Sequence, residues 1–313
     1  MNKKKICLVV IFNHRYNQNV EKLQKIYGTK FSDIYYVVPF KTDEVPDYLL
    51  SNVIRVYESS FYFQGYIATA YDRLKDKGYD YFLFVGDDLI LNPNINEKNF
   101  FEYSGISSEH CFIKYFVPID EAGGVRPLRL YDTIRPFYFA SGVEWKRELP
   151  SVDEALAILS EHGFDSSILR MTRKYRKRNK FFRSLKMLPF TALVFALTRF
   201  RRYPYPLFRG YSDAVGVPRE AMEEFTYYCG VFAAMNVFVE IAIPTALLFS
   251  STKIQQEKDI HLKGCEVWTV EDIDKIKAQY HSSVSELLAE FPKDTFYYHP
   301  VKLSQWTWDI EAS

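Results

Sequence analysis

The chain has 313 residues, of which 48% are hydrophobic and 25% are charged, and its formal net charge is +1. This composition is typical of a globular protein with a substantial core, and the small net charge suggests no overall preference for nucleic acid, although the average conceals an asymmetry along the chain. Because the four cysteines are far apart and form no C-x-x-C pair, a zinc cage and a dense disulfide framework are excluded, and a reducing compartment is the simplest setting.

The first hundred residues alternate between apolar strands and helical patterns. The stretch ICLVVIF predicts a buried strand and not a signal peptide, because its apolar run is short and no small-residue cleavage pattern follows it. Val20, Leu23 and Ile26 then recur at helical spacing. Further strands are predicted at residues 33–40, 53–58 and 79–86, with a helix at 65–78. This alternation predicts a parallel α/β sheet, in which ligand sites lie at the carboxyl ends of the strands.

The second half of the chain contains fewer strands and clearer helix starts. Residues 110–119 predict one more strand, and Ser151 with Glu154 predicts a capping box that opens a helix. Thr269 with Asp272 predicts a second capping box, at the start of a segment that forms one or two helices. The sequence has no internal repeat, no low-complexity linker and no run of 18 apolar residues, so we expect a single catalytic domain over residues 1–313 that does not cross a membrane.

Residues 166–212 form an insertion with an unusual composition. They contain no acidic residue, and twelve Lys and Arg lie within the 170–202 part. The other 28 basic residues of the chain stand against 39 acidic residues, so the positive charge is concentrated here. An apolar stretch from Met187 to Leu197 lies between the basic clusters, and we expect Pro189 to break it.

Three interpretations of this insertion are open. It can be a core helix flanked by solvated charge, or a basic patch for nucleic acid, although no recognised nucleic-acid motif accompanies it. It can also be an interfacial segment, with apolar residues among lipid tails and basic residues on anionic headgroups. We favour the interfacial segment because it explains the charge and the apolar middle together. It places the protein in the cytoplasm, peripherally on the inner face of the cytoplasmic membrane.

Asp87 and Asp88 follow the predicted strand at 79–86 without a break. Two adjacent carboxylates at the edge of a core repel each other unless a positive charge lies between them. Hard divalent cations take such oxygen ligands and often share them with substrate phosphates. The alternative is a solvated turn, in which aspartate is common.

Three later stretches contain further candidates. Gly210 lies in the loop FRGYSDAV, where a glycine allows close approach of a ligand or simply forms a turn. Glu240 interrupts an apolar segment; if it is buried and unpaired, its raised pKa suits a general base, whereas an Arg partner or a helix terminus would make it structural. His299 follows aromatic residues near the C-terminus and is either structural or a metal ligand.

Along the chain, these features occur in the order carboxylate pair, glycine loop, isolated Glu and late His. This order resembles the shared core of GT-A-fold glycosyltransferases, in particular those of the family 2-like, bacterial polysaccharide type. The resemblance covers residues 6–100 and 205–302. It implies an α/β fold with a Rossmann-like mixed sheet flanked by helices. It also implies that Mn²⁺ or Mg²⁺ is held on the donor diphosphate by Asp88, Asp87 and His299. Because the motif reads Gly-Asp-Asp, which aspartate contacts the metal directly stays open, and Asp88 is favoured.

The same resemblance implies roles for the other site residues. Glu240 is implied as the catalytic base of an inverting transfer, although Ile241 stands where such enzymes have the Asp of an x-E-D motif. Asp213 is the alternative base, since it lies in the same loop as Gly210. Gly210 and Tyr211 are implied to line the donor sugar. The donor, with a UDP-sugar favoured, is further implied to contact Asp87, Phe12, Asn13, Tyr16, Asn17, Gln64 and Gly65.

The implied function is metal-dependent transfer of a sugar from a nucleotide-diphosphate donor to a saccharide acceptor, lipid-linked in view of the interfacial segment. Two alternatives stay open. One is a sugar-phosphate nucleotidyltransferase, although residues 12–23 lack the glycine-rich loop of such enzymes. The other is a non-catalytic protein that binds anionic lipid or nucleic acid through residues 170–202. Under the favoured interpretation, no nucleic-acid partner is expected.

Overall fold

The computed structural model describes residues 4–121, 125–170, 185–198 and 202–310. Its strands are β1 (Ile6–Ile11), β2 (Asp33–Pro39), β3 (Val53–Val56), β4 (Tyr81–Gly86), β5 (Ile90–Leu91), β6 (Cys111–Ile113), β7 (Phe116–Pro118), β8 (Phe208–Gly210), β9 (Ala214–Pro218), β10 (Ile254–Gln256), β11 (Lys263–Glu266) and β12 (Thr295–His299). Its α-helices are α1 (Asn19–Tyr27), α2 (Gln64–Leu74), α3 (Phe100–Ser104), α4 (Pro127–Ile134), α5 (Trp145–Glu148), α6 (Val152–Glu161), α7 (Leu188–Leu197), α8 (Arg219–Ala234), α9 (Val239–Ser250), α10 (Val270–Gln279) and α11 (Val284–Ala289).

Seven strands form the main sheet, in the order β10-β6-β9-β4-β1-β2-β3. β1 pairs in parallel with both β2 and β4, and β3 continues the parallel part beyond β2. β9 runs antiparallel to β4 and β6, so the sheet is mixed. The predicted mixed α/β architecture is therefore confirmed. The carboxyl ends of β1 and β4, where the sequence places its first candidate residues, lie side by side.

The main sheet is buried on both faces. Along β1, Cys7, Val9 and Ile11 point into one apolar cluster, while Ile6, Leu8 and Val10 point into another. This alternation follows from the two-residue period of a strand, and the continuous apolar runs of β1 and β4 are typical of a sheet covered on both faces. Two smaller sheets, β11-β12-β5 and β7-β8, flank the main one.

Helix boundaries agree with several local signals in the sequence. The capping box of Ser151 and Glu154 is present at the start of α6, and Thr269 accepts a hydrogen bond from the backbone of Asp272 at the start of α10. The predicted strand at 110–119 is wrong as a single element, because β6 and β7 belong to different sheets. The chain changes sheet at Lys114 and Tyr115, which no turn residue in the sequence signals.

The insertion at 166–212 is described in part. Helix α7 packs against α4, with the rings of Phe190 and Tyr131 6.2 Å apart, and it leaves Leu188 and Leu193 exposed. The expected break at Pro189 is wrong, because this proline occupies the first turn of α7, where a missing N–H costs nothing. In the part of the chain that the structure describes, no helix is long and apolar enough to cross a membrane. Of the twelve basic residues of the interfacial prediction, nine lie outside the described residues: Arg173, Lys174, Arg176, Lys177, Arg178, Lys180, Arg183, Arg199 and Arg201.

Candidate active site

The two adjacent aspartates lie at the carboxyl end of β4, beside the end of β1. The backbone N–H of Asp87 donates to the carbonyl of Ile11, and the N–H of Asn13 donates to Oδ1 of Asp87, 3.4 Å away. The carbonyl of Asp88 accepts from the N–H of Val301, which joins this turn to the chain after β12. Both aspartates line a cavity of about 440 Å³.

Asp213 approaches the pair from the antiparallel strand β9. The backbone N–H of Gly86 donates to the carbonyl of Asp213, 3.0 Å away. A Cβ atom built on Gly86 would lie 3.4 Å from Oδ1 of Asp88 and 3.9 Å from Oδ1 of Asp213, so the two carboxylates flank this glycine. Three aspartates that lie up to 126 positions apart in the sequence therefore meet at one edge of the sheet.

The electrostatic cost of this arrangement is visible in the aspartate pKa values. Burial, reinforced by the charge of Asp88, raises the pKa of Asp87 to about 8. Burial also raises the pKa of Asp213 to about 6, although the charge of His299 opposes this shift. These shifts favour a protonated Asp87 at neutral pH, and a cation or a positively charged group nearby would favour the ionised forms of both carboxyls.

His299 ends β12 and faces the aspartates across the cavity edge. Its Nε2 lies 3.1 Å from Oδ1 of Asp88, and its Nδ1 lies 2.8 Å from the hydroxyl of Tyr211. Burial opposes protonation of His299, but the contact with Asp88 and the charge of Asp213 outweigh it and raise the pKa of the imidazole. The structure thus brings together the three residues that the resemblance assigns to a metal: Asp87, Asp88 and His299.

Asp88 and His299 offer atoms of the kind that bind a divalent cation. Oδ1 of Asp88 and Nε2 of His299 face each other at the cavity, and carboxylate oxygen with imidazole nitrogen is a donor set that manganese accepts. Within the residues that the structure describes, no group of three His, Cys, Asp or Glu side chains is arranged to hold a metal ion by itself. The remaining ligands would have to come from substrate oxygens and water.

Glu240 does not have the environment expected of it. It lies in the first turn of α9, its side chain is 39% exposed, and Nε of Arg209 donates to its Oε2 at 3.0 Å. The expectation of a buried, unpaired Glu is wrong, and the alternative of an Arg partner is what the structure shows. The apolar sequence of α9 suggested that Glu240 is buried. A residue in the first turn of a helix can face solvent even when the following turns are buried, and Glu240 does so.

Gly210 and Tyr211 are packed behind the cavity and do not line it. A Cβ atom at Gly210 would lie 2.4 Å from the carbonyl oxygen of Tyr115, so this glycine is needed for the close approach of β8 to the chain before β7. Tyr211 is buried, and its ring lies parallel to that of Tyr297 at 5.9 Å. Tyr211 reaches the site only through its hydroxyl and His299.

The N-terminal candidates separate into two groups. Asn13 and Tyr16 line the cavity, as the resemblance implies. Phe12 is fully buried beneath it, and Asn17 is buried with its amide donating to the carbonyls of Lys41 and Asp43. Asn17 therefore fixes the loop after β2.

Gln64 and Gly65 lie away from the cavity, in the first turn of α2. The amide of Gln64 donates to the carbonyl of Val237, and a Cβ at Gly65 would lie 3.1 Å from the side chain of Ala233. Both residues hold α2 against α8 and the chain that follows it.

The sequence analysis missed the contribution of the C-terminal region to the cavity. Segments 267–277 and 300–306 supply more than half of the lining residues, among them Trp268, Lys277 and Lys302. His14 and Asn19 on the opposite side were missed as well. None of these residues belongs to a spaced motif, so the sequence offers no local signal that points to them.

No model of a known protein family and no curated protein matches this chain. Among solved structures, the X-ray structure of the mannosyltransferase Ktr4p from S. cerevisiae matches with a TM-score of 0.38 and 10% identity, over 83% of this chain and 70% of that one. The apo structure of the bifunctional glycosyltransferase WbbM matches with a TM-score of 0.36 and 7% identity, over 96% of this chain and 46% of that one. This chain thus spans less than half the length of WbbM. Because both TM-scores lie below 0.5, these likenesses identify neither the fold family nor the activity of this chain.

Proposed function

We propose that this protein is a GT-A-type glycosyltransferase that moves a sugar from a nucleotide-diphosphate donor to a saccharide acceptor. The observation that carries the proposal is the meeting of Asp87, Asp88, Asp213 and His299 at the carboxyl end of β4, beside a cavity of about 440 Å³. Carboxylates and an imidazole at this edge of a mixed α/β sheet suit the binding of a metal-bound diphosphate. A UDP-sugar is the donor we favour.

In this mechanism Asp88 and His299 would hold Mn²⁺ or Mg²⁺, which neutralises charge on the leaving diphosphate when bound. Asp87 holds the turn through the backbone of Asn13 and Ile11. Asp213 takes the proton of the acceptor hydroxyl, since its pKa of about 6 leaves it ionised at neutral pH yet basic enough to accept a proton. Attack from the face opposite the diphosphate would invert the anomeric centre. Glu240 stays a second candidate base, and its pairing with Arg209 makes it the weaker one.

The test is a donor screen that measures the release of nucleoside diphosphate with Mn²⁺, with Mg²⁺ and with EDTA. We expect turnover of one donor class that requires the metal and is abolished in Asp88→Ala. Asp76→Ala, at an exposed carboxylate far from the cavity, is the matched control and should retain activity. Turnover that is unchanged both in EDTA and in Asp88→Ala would contradict the proposal.

We also propose that the insertion docks the protein on an anionic membrane surface, at the inner face of the cytoplasmic membrane, where a lipid-linked acceptor is presented. Leu188 and Leu193 of α7 are 56% and 42% exposed, and basic residues precede and follow this helix in the sequence. Apolar side chains flanked by cations are typical of interfacial helices.

Vesicle flotation tests this docking. Leu188→Asp/Leu193→Asp should lose binding to anionic vesicles, whereas Leu50→Asp, at a leucine of another surface that is as exposed as Leu193, should not. Binding by the wild type should also weaken as salt is raised, because headgroup attraction is screened. Undiminished binding of the double variant would show that α7 does not insert.

A further inference from the structure

The C-terminal wall of the cavity, formed by residues 267–277 and 300–306, contains two lysines without a carboxylate partner. Lys277 and Lys302 both line the cavity, and Nζ of Lys277 donates to Oε1 of Gln305 at 3.1 Å. Within the described residues neither lysine forms an ion pair, although several lysines elsewhere do: Lys5, Lys25, Lys75, Lys114 and Lys253. Among the charged residues of this wall, these two lysines line the cavity, whereas Glu271, Asp272 and Asp274 do not.

The same wall presents an uncovered indole. Trp268 is 63% exposed, and its ring meets that of His299 edge-on, with 5.1 Å between the centroids. Its backbone is fixed on both sides, because Val267 donates to the carbonyl of His299 and Thr269 caps α10. A large apolar ring that is held in place beside a polar cavity, with one face open, suits stacking against a sugar ring.

The opposite wall supplies an independent sign of a ligand. Asn19 is only 4% exposed and lines the cavity, yet its Oδ1 has no hydrogen-bond partner among the residues described. A buried amide oxygen of this kind is costly unless a donor reaches it. A hydroxyl group of a ligand in the cavity would satisfy it.

We propose that the C-terminal wall binds a pyrophosphate-linked saccharide, with Lys277 and Lys302 on the pyrophosphate and Trp268 against the sugar. The identity of the ligand rests on the proposed function, but the site itself does not need the metal. Two sources share this chemistry: the nucleotide-sugar donor and an acceptor saccharide carried on a lipid pyrophosphate. The position of Trp268 next to His299 places the sugar at the aspartate cluster.

The test is calorimetric binding to the full-length protein in EDTA, so that the lysines are measured without the metal. The probes are inorganic pyrophosphate, UDP, a UDP-hexose and a short-chain alkyl pyrophosphoryl saccharide. Lys277→Gln/Lys302→Gln should weaken the binding of pyrophosphate at least about tenfold. The reason is that the charge-assisted hydrogen bonds lost with the two lysines together contribute more than a tenfold factor in affinity. Lys146→Gln/Lys258→Gln removes the same charge at exposed positions outside this wall, and should bind as the wild type does.

Trp268→Ala should weaken the two sugar-bearing probes and leave pyrophosphate unchanged. Lysine-dependent binding of the UDP probes assigns the wall to the donor, and lysine-dependent binding of the alkyl probe assigns it to the acceptor; each supports the site. Equal pyrophosphate affinity in the two double variants, or no metal-free binding of any probe, would overturn it. Lysine-dependent binding in a protein that turns over no nucleotide sugar would support this site and contradict the glycosyltransferase function.

Discussion

The hydroxyl of Tyr211 lies 2.8 Å from Nδ1 of His299, on the side of the imidazole away from Asp88. The ring of Tyr211 is stacked on Tyr297, whose hydroxyl donates to Glu266 at 2.7 Å. Glu266 is in turn paired with Lys114. This chain of contacts fixes the ring plane of His299 and keeps its Nε2 directed at Asp88, so Tyr211 acts on the site through the imidazole.

We therefore expect Tyr211→Phe to weaken Mn²⁺ binding by about tenfold, because partners that orient a metal-binding imidazole typically contribute one to two orders of magnitude in affinity. The measurement is Mn²⁺ titration of the protein in the presence of UDP, whose diphosphate oxygens would complete the ligand set, by calorimetry or by electron paramagnetic resonance. Tyr280→Phe is the control, since it also removes a buried hydroxyl, the one that contacts Tyr298 at 3.1 Å. Wild-type Mn²⁺ affinity in Tyr211→Phe would show that the hydroxyl does not position His299.

The choice between two candidate bases gives a kinetic prediction. Asp213→Asn should lower kcat by about 10² to 10⁴, the usual contribution of general-base catalysis, while Glu240→Gln should cost only a few-fold, because Glu240 is already paired with Arg209. In the wild type, kcat/KM should fall at acid pH, below about 6, where Asp213 becomes protonated, because a bound cation favours the ionised carboxylate. A larger loss in Glu240→Gln than in Asp213→Asn would reverse the assignment.

The sequence predicted a site residue when a local pattern marks it, and missed a residue that joins the site only through contacts between distant parts of the chain. Asp87 and Asp88 were found because a strand that ends in carboxylates is a local pattern. His299 and Asp213 were found by resemblance, since nothing in their neighbourhood shows that β9 pairs with β4 and that β12 pairs with β5. Trp268 and Lys302 were missed because they contribute to the site only through the tertiary position of the C-terminal segments.

The fold shows the same division. The strands β1, β2 and β4 and the caps of α6 and α10 follow from short-range periodicity and capping chemistry, so the sequence predicted them. The antiparallel insertion of β9, and the separation of β6 from β7, depend on which strands pair, and pairing leaves no short-range signal. Glu240 was misjudged for a related reason: the sequence shows that a segment is apolar, but not which end of its helix faces Arg209.

Asp213 also gives a prediction about stability. Its pKa is about 6 in the folded protein against an ordinary value of 3.8, so ionisation of this carboxyl disfavours the folded state. The stability that the folded state has with a neutral Asp213 carboxyl is therefore fully present below about pH 4, and it is lost as the pH rises through about 6 and the carboxyl ionises. In EDTA, Asp213→Asn should therefore be more stable than the wild type at pH 8, by up to about 3 kcal/mol, and equal to it at pH 3.5.

Denaturant unfolding of both proteins at the two pH values measures this difference. Asp76→Asn, at an exposed carboxylate, controls for the loss of a charge. A destabilised Asp213→Asn at pH 8 would mean that the ionised carboxylate makes favourable contacts in the folded state, and that Asp213 is structural and not held ready for catalysis.

Gly210 gives a prediction that separates packing from ligand contact. An alanine Cβ there would lie 2.4 Å from the carbonyl oxygen of Tyr115, and a backbone atom cannot move aside cheaply. Gly210→Ala should cost about 1 to 3 kcal/mol of unfolding free energy, as overpacking does.

Gly230→Ala is the matched control. Gly230 lies inside α8, and the nearest neighbour of an added Cβ would be the Cβ of Ala68 at 3.7 Å. Alanine should therefore stabilise the helix by up to about 1 kcal/mol. Because Tyr211 follows Gly210 directly, the strain should reach His299 and weaken Mn²⁺ binding as well. A Gly210→Ala variant with unchanged stability but reduced donor affinity would instead place this glycine against the donor sugar.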